Sequence, residues 1–295
     1  MEKEYTYSFI IPHKNCPDLL RRCVDSIPVR DDVQIIVVDD NSDDGKKPAL
    51  KDRKGLQVIL LDAEHSKGAG RARNVGLDHA EGKWLLFADA DDFFSENLSS
   101  LLDKYKNVQK TDIVYLNACT FDENGLINAY KTDQLIKNYL AGKNSAEMDL
   151  RYSLWTPWSR MVRQSVVNDF NIRFDEIPAG NDLMFGLKCS KYAKKMLVEP
   201  KFVYNYYTPS IGSCTDNARK KMIDSRLTLR GKLILFYREV GYMANTNLLD
   251  VIFSFYIRNG GSLRDCITKY SKFRKEYNVS LFDDFCKFVK NRIKH

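Results

Sequence analysis

The stretch WLLFADADD, residues 84–92, decides the fold of this 295-residue chain. Its first five residues form a run that is too apolar for an edge strand and predicts a buried β-strand. Three aspartates, Asp89, Asp91 and Asp92, come directly after that strand. Because ligands bind beyond the carboxyl ends of strands in parallel sheets, we expect these carboxylates to line a binding site.

Three earlier apolar runs repeat the pattern, at residues 5–12, 33–39 and 56–61. Apolar residues at helical spacing predict a helix over 18–27, after the first run, and another over 70–80, before residue 84. Near-continuous apolar strands that alternate with helices are typical of a mainly parallel sheet covered on both faces. We therefore predict an α/β fold with a Rossmann-type, mainly parallel sheet flanked by helices.

The remaining sequence predicts a mixed region followed by a helical one. The expected elements are a helix over 95–107 with Ser95 as N-cap, a strand over 112–121 that meets a turn at 122–125, a helix over 181–194, an alternating aromatic run over 204–207, and tail helices broken near Gly241 and Gly260. We expect one domain over 1–215, with halves of about 1–110 and 111–215. A C-terminal helical extension is expected over 216–295.

Composition narrows the class of protein. Hydrophobic residues make up 44% and charged residues 29%, which is ordinary for a globular protein. No apolar run reaches the roughly 18 residues that a membrane span needs, and residues 1–5 have no secretory pattern, so we expect a cytoplasmic protein. The seven cysteines are scattered without a Cys-x-x-Cys pair, and the four histidines are not paired. A disulfide framework and a zinc site are therefore not expected, and a metal would have to be held by carboxylates.

Charge is divided unevenly along the chain. Residues 217–295 contain 17 Lys and Arg against 7 Asp and Glu, a formal charge of +10, so the preceding residues carry −3 of the total +7. The basic region predicts a partner such as an anionic membrane surface, which its apolar residues could also contact. These apolar residues are Leu233, Ile234, Phe236, Phe253 and Phe255. A helical cap that buries them, or a solvated helical face, is the alternative.

The pair Asp89-x-Asp91 is the strongest candidate for metal chemistry. Two carboxylates one residue apart repel each other and tolerate ionisation best with a cation between them. Oxygen ligands with open positions suit Mg²⁺ or Mn²⁺ bridging to a diphosphate. An acidic solvated turn is the alternative, which the buried character of the preceding strand disfavours.

Two further clusters follow predicted strands or open a predicted helix. Asp39 and Asp40 end the run at 33–39 and could accept hydrogen bonds from a base or a ribose, whereas residues 41–44 fit a turn cap. The segment 67–74 (KGAGRARN) combines glycines with basic residues where a helix begins, a combination that attracts phosphate. Its two arginines point to different faces of the helix, so at most one is expected to face a ligand.

Taken together, these residues resemble the family 2 glycosyltransferases, which are inverting enzymes with the GT-A fold. The resemblance spans roughly residues 5–100, where order and spacing both match. It rests on residues 9–12 (FIIP), 35–42 (IIVVDDNS), 70–77 (GRARNVGL) and 86–92 (LFADADD). A weaker similarity continues through Trp158-Ser159-Arg160-Met161-Val162-Arg163 and Asn181-Asp182-Leu183-Met184-Phe185, and into a loop over residues 207–213.

The resemblance implies an enzyme of bacterial polysaccharide type that uses a nucleotide-diphosphate sugar, with UDP as the family's commonest carrier. Asp91, helped by Asp89, would hold Mn²⁺ or Mg²⁺ against the diphosphate. Asp182 would be the catalytic base, with Trp158 and Asn181 on the acceptor side. Residues implied in nucleotide-sugar binding are Pro12, Asp39, Asp40, Gly70, Arg71, Asn74, Asp89 and Ala90. A glycan or lipid-linked glycan would be the acceptor, and contact with the inner membrane face is expected through residues 216–295.

Two positions depart from the family pattern. Lys14 stands where the family often has Tyr, and Asn181 stands where it usually has Glu, while Asp182 is kept. The change at Asn181 keeps a non-catalytic nucleotide-sugar binder as an alternative. A nucleotidyltransferase, which also needs a metal and a nucleotide pocket, is another. A nucleic-acid-binding protein rests only on the basic region, and no nucleic acid partner is expected.

Overall fold

The computed structural model describes residues 5–122, 124–125, 127–208, 223–244, 246–253 and 262–293. These residues fall into two units, one formed by Met1–Ile177 with Asn181–Ser210 and the other by Pro178–Gly180 with Ile211–His295. The division predicted at 215/216 lies outside the described residues.

The first unit contains a nine-stranded mixed sheet in its described part. Its strands are β1 (Tyr7–His13), β2 (Val33–Asp39), β3 (Leu56–Leu60), β4 (Trp84–Phe87), β5 (Phe93–Phe94), β6 (Ile113–Phe121), β7 (Ile127–Ala129), β8 (Arg160–Arg163) and β9 (Met196–Tyr207). They are ordered β3-β2-β1-β4-β8-β6-β9-β5, and β7 pairs with β6. The first four strands in this order are parallel, β8 is antiparallel to β4 and β6, and β9 is parallel to β6.

Helices lie along this sheet. They are α1 (Pro17–Asp25), α2 (Ala69–Asp78), α3 (Asn97–Tyr105), α4 (Lys131–Leu140), α5 (Ala146–Ser153), α6 (Gln164–Asp169) and α7 (Leu183–Tyr192), with a 3₁₀ turn at Pro157–Ser159. Strand β1 shows how the layers form, since Phe9 and Ile11 pack in one hydrophobic core with α1 and α3. The intervening Ile10 packs in the opposite core with α2 and α7. Alternation of side chains across a sheet with two covered faces explains why the strand sequence is apolar throughout.

The predicted α/β fold is confirmed, with small shifts at element ends. Strand β2 covers the predicted 33–39, and the helix predicted over 70–80 is α2. Helix α3 begins at Asn97 directly after Glu96, and the predicted cap Ser95 accepts a hydrogen bond from Asn97 N through its Oγ at 3.3 Å. The turn after β6 is confirmed by the hydrogen bond from Gly125 N to Asp122 O at 3.1 Å.

The second unit is helical in its described part, as predicted. Its helices are α8 (Ile223–Glu239), α9 (Leu249–Ile252), α10 (Leu263–Glu276) and α11 (Leu281–Ile293). Buried Asp284 ties three of them together, because its carboxylate accepts hydrogen bonds from Leu248 N, Leu249 N and Tyr270 Oη at 2.7, 3.2 and 3.0 Å. The predicted break at Gly241 is confirmed by the end of α8 at Glu239, whereas the one at Gly260 lies outside the described residues.

The structure decides between the two alternatives for three apolar residues of this unit. Leu233, Ile234 and Phe236 are all buried, so their side chains are not available to a membrane. Their helical spacing alone could not tell an exposed apolar face from a core face. Phe253 is partly buried, and Phe255 lies outside the described residues. Among the helices that the structure describes, none has the length and apolar character to cross a bilayer.

Candidate active site

The parallel register brings the exits of three strands to one edge of the sheet. His13 at the end of β1 pairs with Asp39 at the end of β2, and Ile10 pairs with Phe87 at the end of β4. Because β8 is antiparallel to β4, its start lies at the same edge, and the turn that carries Trp158 comes just before it. The polar segments that follow the strands are therefore neighbours, as predicted.

The side chain of Asp39 is buried, and both of its carboxylate oxygens accept hydrogen bonds from protein groups. One of its oxygens lies 2.7 Å from His13 Nδ1 and accepts from Ser42 Oγ at 2.5 Å, and the other accepts from Ser42 N at 3.0 Å. Cys16 N donates to His13 Nε2 at 3.2 Å, so Nε2 is the unprotonated nitrogen and Nδ1–H is the donor to Asp39. Asp39 thus fixes the loops after β1 and β2 next to Pro12.

Asp40 fixes the start of α2. Both carboxylate oxygens lie 3.1 Å from Gly68 N, and Lys14 Nζ is 3.4 Å away, while the side chain is almost fully buried. The carboxylate therefore satisfies a backbone donor at the positive end of the helix. Lys14, one of the two departures from the family pattern, is the cation that faces this aspartate. A contact of Asp40 with a base remains a prediction.

The close backbone approach predicted at Gly70 is to protein rather than to a ligand. A Cβ on Gly70 would lie 2.2 Å from Asp175 O and 3.0 Å from Asn181 Cβ, so only glycine fits. Asn74, one turn later, uses both ends of its amide on the backbone of Phe174, with bonds of 3.0 and 2.9 Å. Gly70 and Asn74 therefore position the segment that leads to Asp182.

Arg73 is the residue that sequence reasoning missed. Arg71, the arginine assigned to the donor, is half-exposed and 3.5 Å from Glu176. Arg73 is 6% exposed, and its guanidinium donates to Asp89 Oδ1 at 2.5 Å and to Asn181 Oδ1 at 2.8 Å. The sequence contained a signal for the burial of Arg73. It lies three residues after Gly70 and four before Leu77, a spacing that places all three on one face of α2, which is buried.

The three aspartates after β4 have different environments. Asp92 is fully buried and accepts hydrogen bonds from Tyr204 Oη at 2.6 Å and Tyr207 N at 2.8 Å. Tyr204 Oη in turn accepts from Asp89 N at 3.0 Å, which fixes the backbone of the acidic segment. Asp89 is partly exposed beside Arg73, and Asp91 is exposed. Asp92 is therefore a structural residue, and Ala90 is buried beneath the segment.

The carboxylates of Asp89 and Asp91 are chemically suited to bind a divalent cation. Desolvation by the surrounding protein, and then the charge of Asp89, raises the pKa of Asp91 although the residue is exposed. A cation between the two would relieve that repulsion. The described residues contain no group of three or more His, Cys, Asp or Glu that could enclose a metal. The remaining ligands would have to come from a substrate diphosphate and water, as is usual for Mg²⁺.

Asp182 stands at the N-cap position of α7 and makes no capping hydrogen bond with its side chain in the described structure. The reading of Asp182 as a helix cap is therefore not supported by a bond. Burial raises the pKa of Asp182, the charge of Arg73 lowers it, and Asp89 raises it further. Asp182 and Asp89 of the acidic segment thus act on each other electrostatically, and Arg73 acts on Asp182 with the opposite sign.

Trp158 belongs to an aromatic stack. Its ring lies parallel to Tyr204 at 4.8 Å and to Tyr206 at 5.5 Å, and it meets Tyr130 edge-on at 5.1 Å. It is only 4% exposed. Because its ring surfaces are occupied by tyrosines, stacking of Trp158 on an acceptor sugar is not supported. Tyr204 is in the core, as expected for at least one residue of this aromatic run.

Lys131 is the exposed cation near Asp182. Its Nζ lies 4.4 Å from the centre of the Trp155 ring and donates to Ser153 O at 3.3 Å. Within the described part of the chain it has no carboxylate within ion-pair distance. Burial and Arg160 lower the pKa of Lys131, and the charge of Asp182 raises it. The cation is therefore held by a ring and a carbonyl, beside the expected acceptor side.

Comparison with known proteins decides the family. The sequence model described as glycosyl transferase family 2 matches residues 8–167. The chain belongs to glycosyl transferase family 2. That range includes every strand exit described above and the start of the acceptor side, but ends before Asp182.

Curated relatives of this family-2 chain are distant. It is 26% identical to the uncharacterized glycosyltransferase EpsJ of Bacillus subtilis over 79% of this chain and 70% of EpsJ. It is 23% identical to the UDP-Glc:α-D-GlcNAc-diphosphoundecaprenol β-1,3-glucosyltransferase WfaP of Escherichia coli over 90% of this chain and 97% of WfaP. Other relatives are longer, and the chain spans 36%, 60% and 27% of three of them.

Solved structures support the GT-A fold of this family-2 chain. Staphylococcus aureus TarS with UDP-GlcNAc matches at a TM-score of 0.62 and 18% identity, over 91% of this chain and 80% of the TarS chain. TarS is a poly(ribitol-phosphate) β-N-acetylglucosaminyltransferase. The mannosyltransferase PcManGT of Pyrobaculum calidifontis, in complex with GDP-Man and Mn²⁺, matches at 0.55 and 16% identity over 97% and 86%.

Proposed function

We propose that this glycosyltransferase moves a sugar from a nucleotide-diphosphate sugar, a UDP-sugar in the first instance, to an acceptor hydroxyl with inversion, in the synthesis of a cell-surface polysaccharide. One observation carries the proposal. Arg73 bonds to Asp89 of the acidic segment and to Asn181, the residue before Asp182. A donor-side carboxylate and the residue next to the candidate base are thereby joined through one buried cation.

On the donor side, Asp91 and Asp89 would hold a divalent cation, Mn²⁺ or Mg²⁺. When bound, the cation supplies positive charge that offsets the charge of the leaving diphosphate. Asp89 stays oriented by Arg73 and by its backbone bond to Tyr204. Asp39 and Asp40 keep the loops after β1 and β2 in position, with Pro12 and Asp40 expected beside the base.

On the acceptor side, Asp182 would accept the proton of the attacking hydroxyl. The acceptor oxygen then bonds to the anomeric carbon, and the bond from that carbon to the diphosphate oxygen breaks. Nucleoside diphosphate leaves, and a single displacement inverts the configuration. A carboxylate whose pKa is raised by burial is a better base than an exposed one, and the charge of Arg73 favours its ionised form.

The experiment is a panel of nucleotide-diphosphate sugars and nucleoside triphosphates, with and without Mn²⁺. We expect metal-dependent binding of one nucleotide class and release of nucleoside diphosphate. Release of pyrophosphate from a triphosphate would instead indicate a nucleotidyltransferase. Binding without any release, in the presence of an acceptor fraction, would indicate a non-catalytic binder.

Lys131 supports an acceptor that carries a negative charge. Arg73 and Arg160 near Asp182 are buried, and Arg160 is bonded to Gly186 O and Ser190 Oγ at 2.7 and 2.8 Å, so only Lys131 among these cations is open to an acceptor. The names of WfaP and TarS describe acceptors with a diphosphate or a ribitol phosphate. We therefore extend the proposal to a phosphate-bearing glycan or lipid-linked glycan.

Lys131→Gln is expected to raise the KM for a phosphate-bearing acceptor about tenfold, because a charge-assisted hydrogen bond is lost. The KM for the donor should not change. Lys137→Gln, on the same helix but paired with Asp133 at 2.6 Å, is the matched control. An equal rise in KM in both variants would contradict the assignment.

The cytoplasmic location and contact with the inner membrane face remain predictions.

A further inference from the structure

A cavity lies within the helical unit, and none of the candidate active-site residues lines it. Its volume is about 500 Å³, and it is lined from α8, the segment after it, and α11. The buried side chains of Ile234 and Tyr237 form its apolar interior. Met243 also lines it and is 96% exposed, so the cavity opens beside a fully exposed apolar side chain.

Every charged residue that lines the cavity in the described part of the chain is basic. These residues are Arg238, Lys287 and Lys290. Arg238 Nη1 donates to Tyr277 O and Asn278 O at 3.3 and 2.9 Å, which anchors that guanidinium at the cavity. Neither Lys287 nor Lys290 has an ion pair among the described residues. Lys287 is attracted at longer range by buried Asp284, but none of the three basic side chains forms a direct ion pair among the described residues.

Apolar surface continues from the cavity along α11. Cys286 lines the cavity, and Phe282 lies four residues earlier on the same side of the helix. Phe282 is 74% exposed, and Phe285 on the adjoining arc is 54% exposed. Two exposed phenylalanines and an exposed methionine next to one basic cavity are unusual for a surface that meets only water.

We propose that this cavity binds the headgroup of an anionic phospholipid while Met243 and Phe282 enter the lipid surface. The phosphate matches the lysines and arginine, and the glycerol and first methylenes of the acyl chains match the apolar interior. Free phosphate would match the charge but leave the apolar lining unused. The sequence-based expectation was a contact of the whole basic region with its apolar residues, whereas here the exposed apolar contacts are Met243 and Phe282, and Ile234 is part of the cavity interior.

The physical basis is additive attraction at a negative surface. Each Lys or Arg near an anionic membrane contributes favourably, and the effect weakens as salt screens the charges. Replacing two of the lining lysines should therefore lower binding by roughly 10- to 30-fold. A purely general attraction of the +10 region would instead depend on the number of charges and not on their position.

The test is co-flotation of the full chain with phosphatidylcholine vesicles that contain or lack phosphatidylglycerol. We expect binding only with the anionic lipid, and the K287Q/K290Q double variant should lose it by at least 10-fold. The control K272Q/K275Q removes the same charge from α10, at residues that do not line the cavity, and should lose less than about threefold. M243Q, at a side chain too exposed to affect folding, should weaken binding by about threefold.

Several outcomes would overturn the proposal. Equal losses in the two double variants would show attraction without a site, and absence of vesicle binding at low salt would exclude the lipid. If inorganic phosphate, at the concentration of accessible lipid phosphate, releases the protein from the vesicles, the cavity is a site for a free anion. The co-flotation test does not measure sugar transfer. A negative co-flotation result therefore does not affect the proposed function, and co-flotation can still be interpreted if the chain transfers no sugar.

Discussion

Arg73 connects the two halves of the candidate active site through one side chain. Among the described residues, it is the only cation that hydrogen-bonds to both Asp89 and Asn181. The usual Glu at position 181 would place a second carboxylate on this guanidinium. With Asn181 the positive charge is less neutralised, which favours an ionised Asp182.

The pH dependence of transfer tests this relation. Catalysis should fall as pH drops through the pKa of Asp182, since a protonated carboxyl cannot accept a proton. Burial raises that pKa, so the acidic limb of kcat should lie above the ordinary aspartate value of 3.8. Arg73→Gln removes a charge that lowers the pKa of Asp182 and should move the limb to higher pH. Arg71→Gln is the control and should leave it in place, and a limb unchanged by Arg73→Gln would contradict the account.

Asp91 and Asp92 are adjacent carboxylates with opposite expected phenotypes. Asp92→Ala should lower the free energy of unfolding by about 1–3 kcal/mol, because Tyr204 Oη and Tyr207 N lose their buried acceptor. Asp91→Ala should change it by about 0.5 kcal/mol or less, since the side chain is exposed. It should instead abolish metal-dependent nucleotide binding.

Chemical denaturation and calorimetric titration of the nucleotide with Mn²⁺ separate these two effects. Retained metal dependence in Asp91→Ala, with a stability loss equal to that of Asp92→Ala, would mean that the roles are assigned the wrong way round.

Sequence order was informative at the residue scale where chemistry is local. Asp89, Asp91 and Asp182 could be selected because each follows a strand or opens a helix. The choice between Arg71 and Arg73 depended on the face that α2 turns to the sheet, and the functional assignment went to the half-exposed Arg71 rather than to the buried Arg73. The ring of Trp158 is covered by Tyr204 of β9, which lies about 45 residues away in sequence. The local sequence pattern around Trp158 carries no information about this contact.

At the scale of elements, α2 is held against the segment before α7 by the absence of a side chain at Gly70. Gly70→Ala should cost about 1–3 kcal/mol of stability and lower transfer, because the new Cβ would displace Asp175 and, with it, Asn181. Gly45→Ala is the comparison, since a Cβ there meets nothing within 4 Å and only its positive φ is strained. Thermal denaturation and transfer rates of the two variants check the expectation, and full activity of Gly70→Ala would disprove it.

Strands β1, β2 and β4 could be predicted because a strand buried on both faces has an apolar sequence of its own, whereas β3 at the end of the strand order has an apolar sequence but partly or fully exposed residues. The antiparallel insertion of β8 between β4 and β6 could not, since it depends on pairing between distant segments. The irregular register of β6 with β9 around Asn117 is of the same kind. There the Asn117 side chain donates to Pro200 O at 2.9 Å, a contact that only the folded sheet brings about.

At the scale of the whole molecule, charge separates the two parts of the chain. The sheet unit carries the carboxylates of the candidate active site, and residues 217–295 carry +10. Composition predicted this division and a partner with negative charge. It could not predict which apolar residues stay exposed, because that depends on how α8 to α11 pack around Asp284.

The central claim is that Asp182 is the base of a sugar transfer, and Asp182→Asn tests it most directly. The variant keeps the size of the side chain, so binding of the donor nucleotide with Mn²⁺ should remain within about twofold of the wild type. The rate of nucleoside diphosphate release from the accepted donor, measured with acceptor present, should fall by roughly 10²- to 10⁴-fold. Turnover within a few-fold of the wild type would contradict the account.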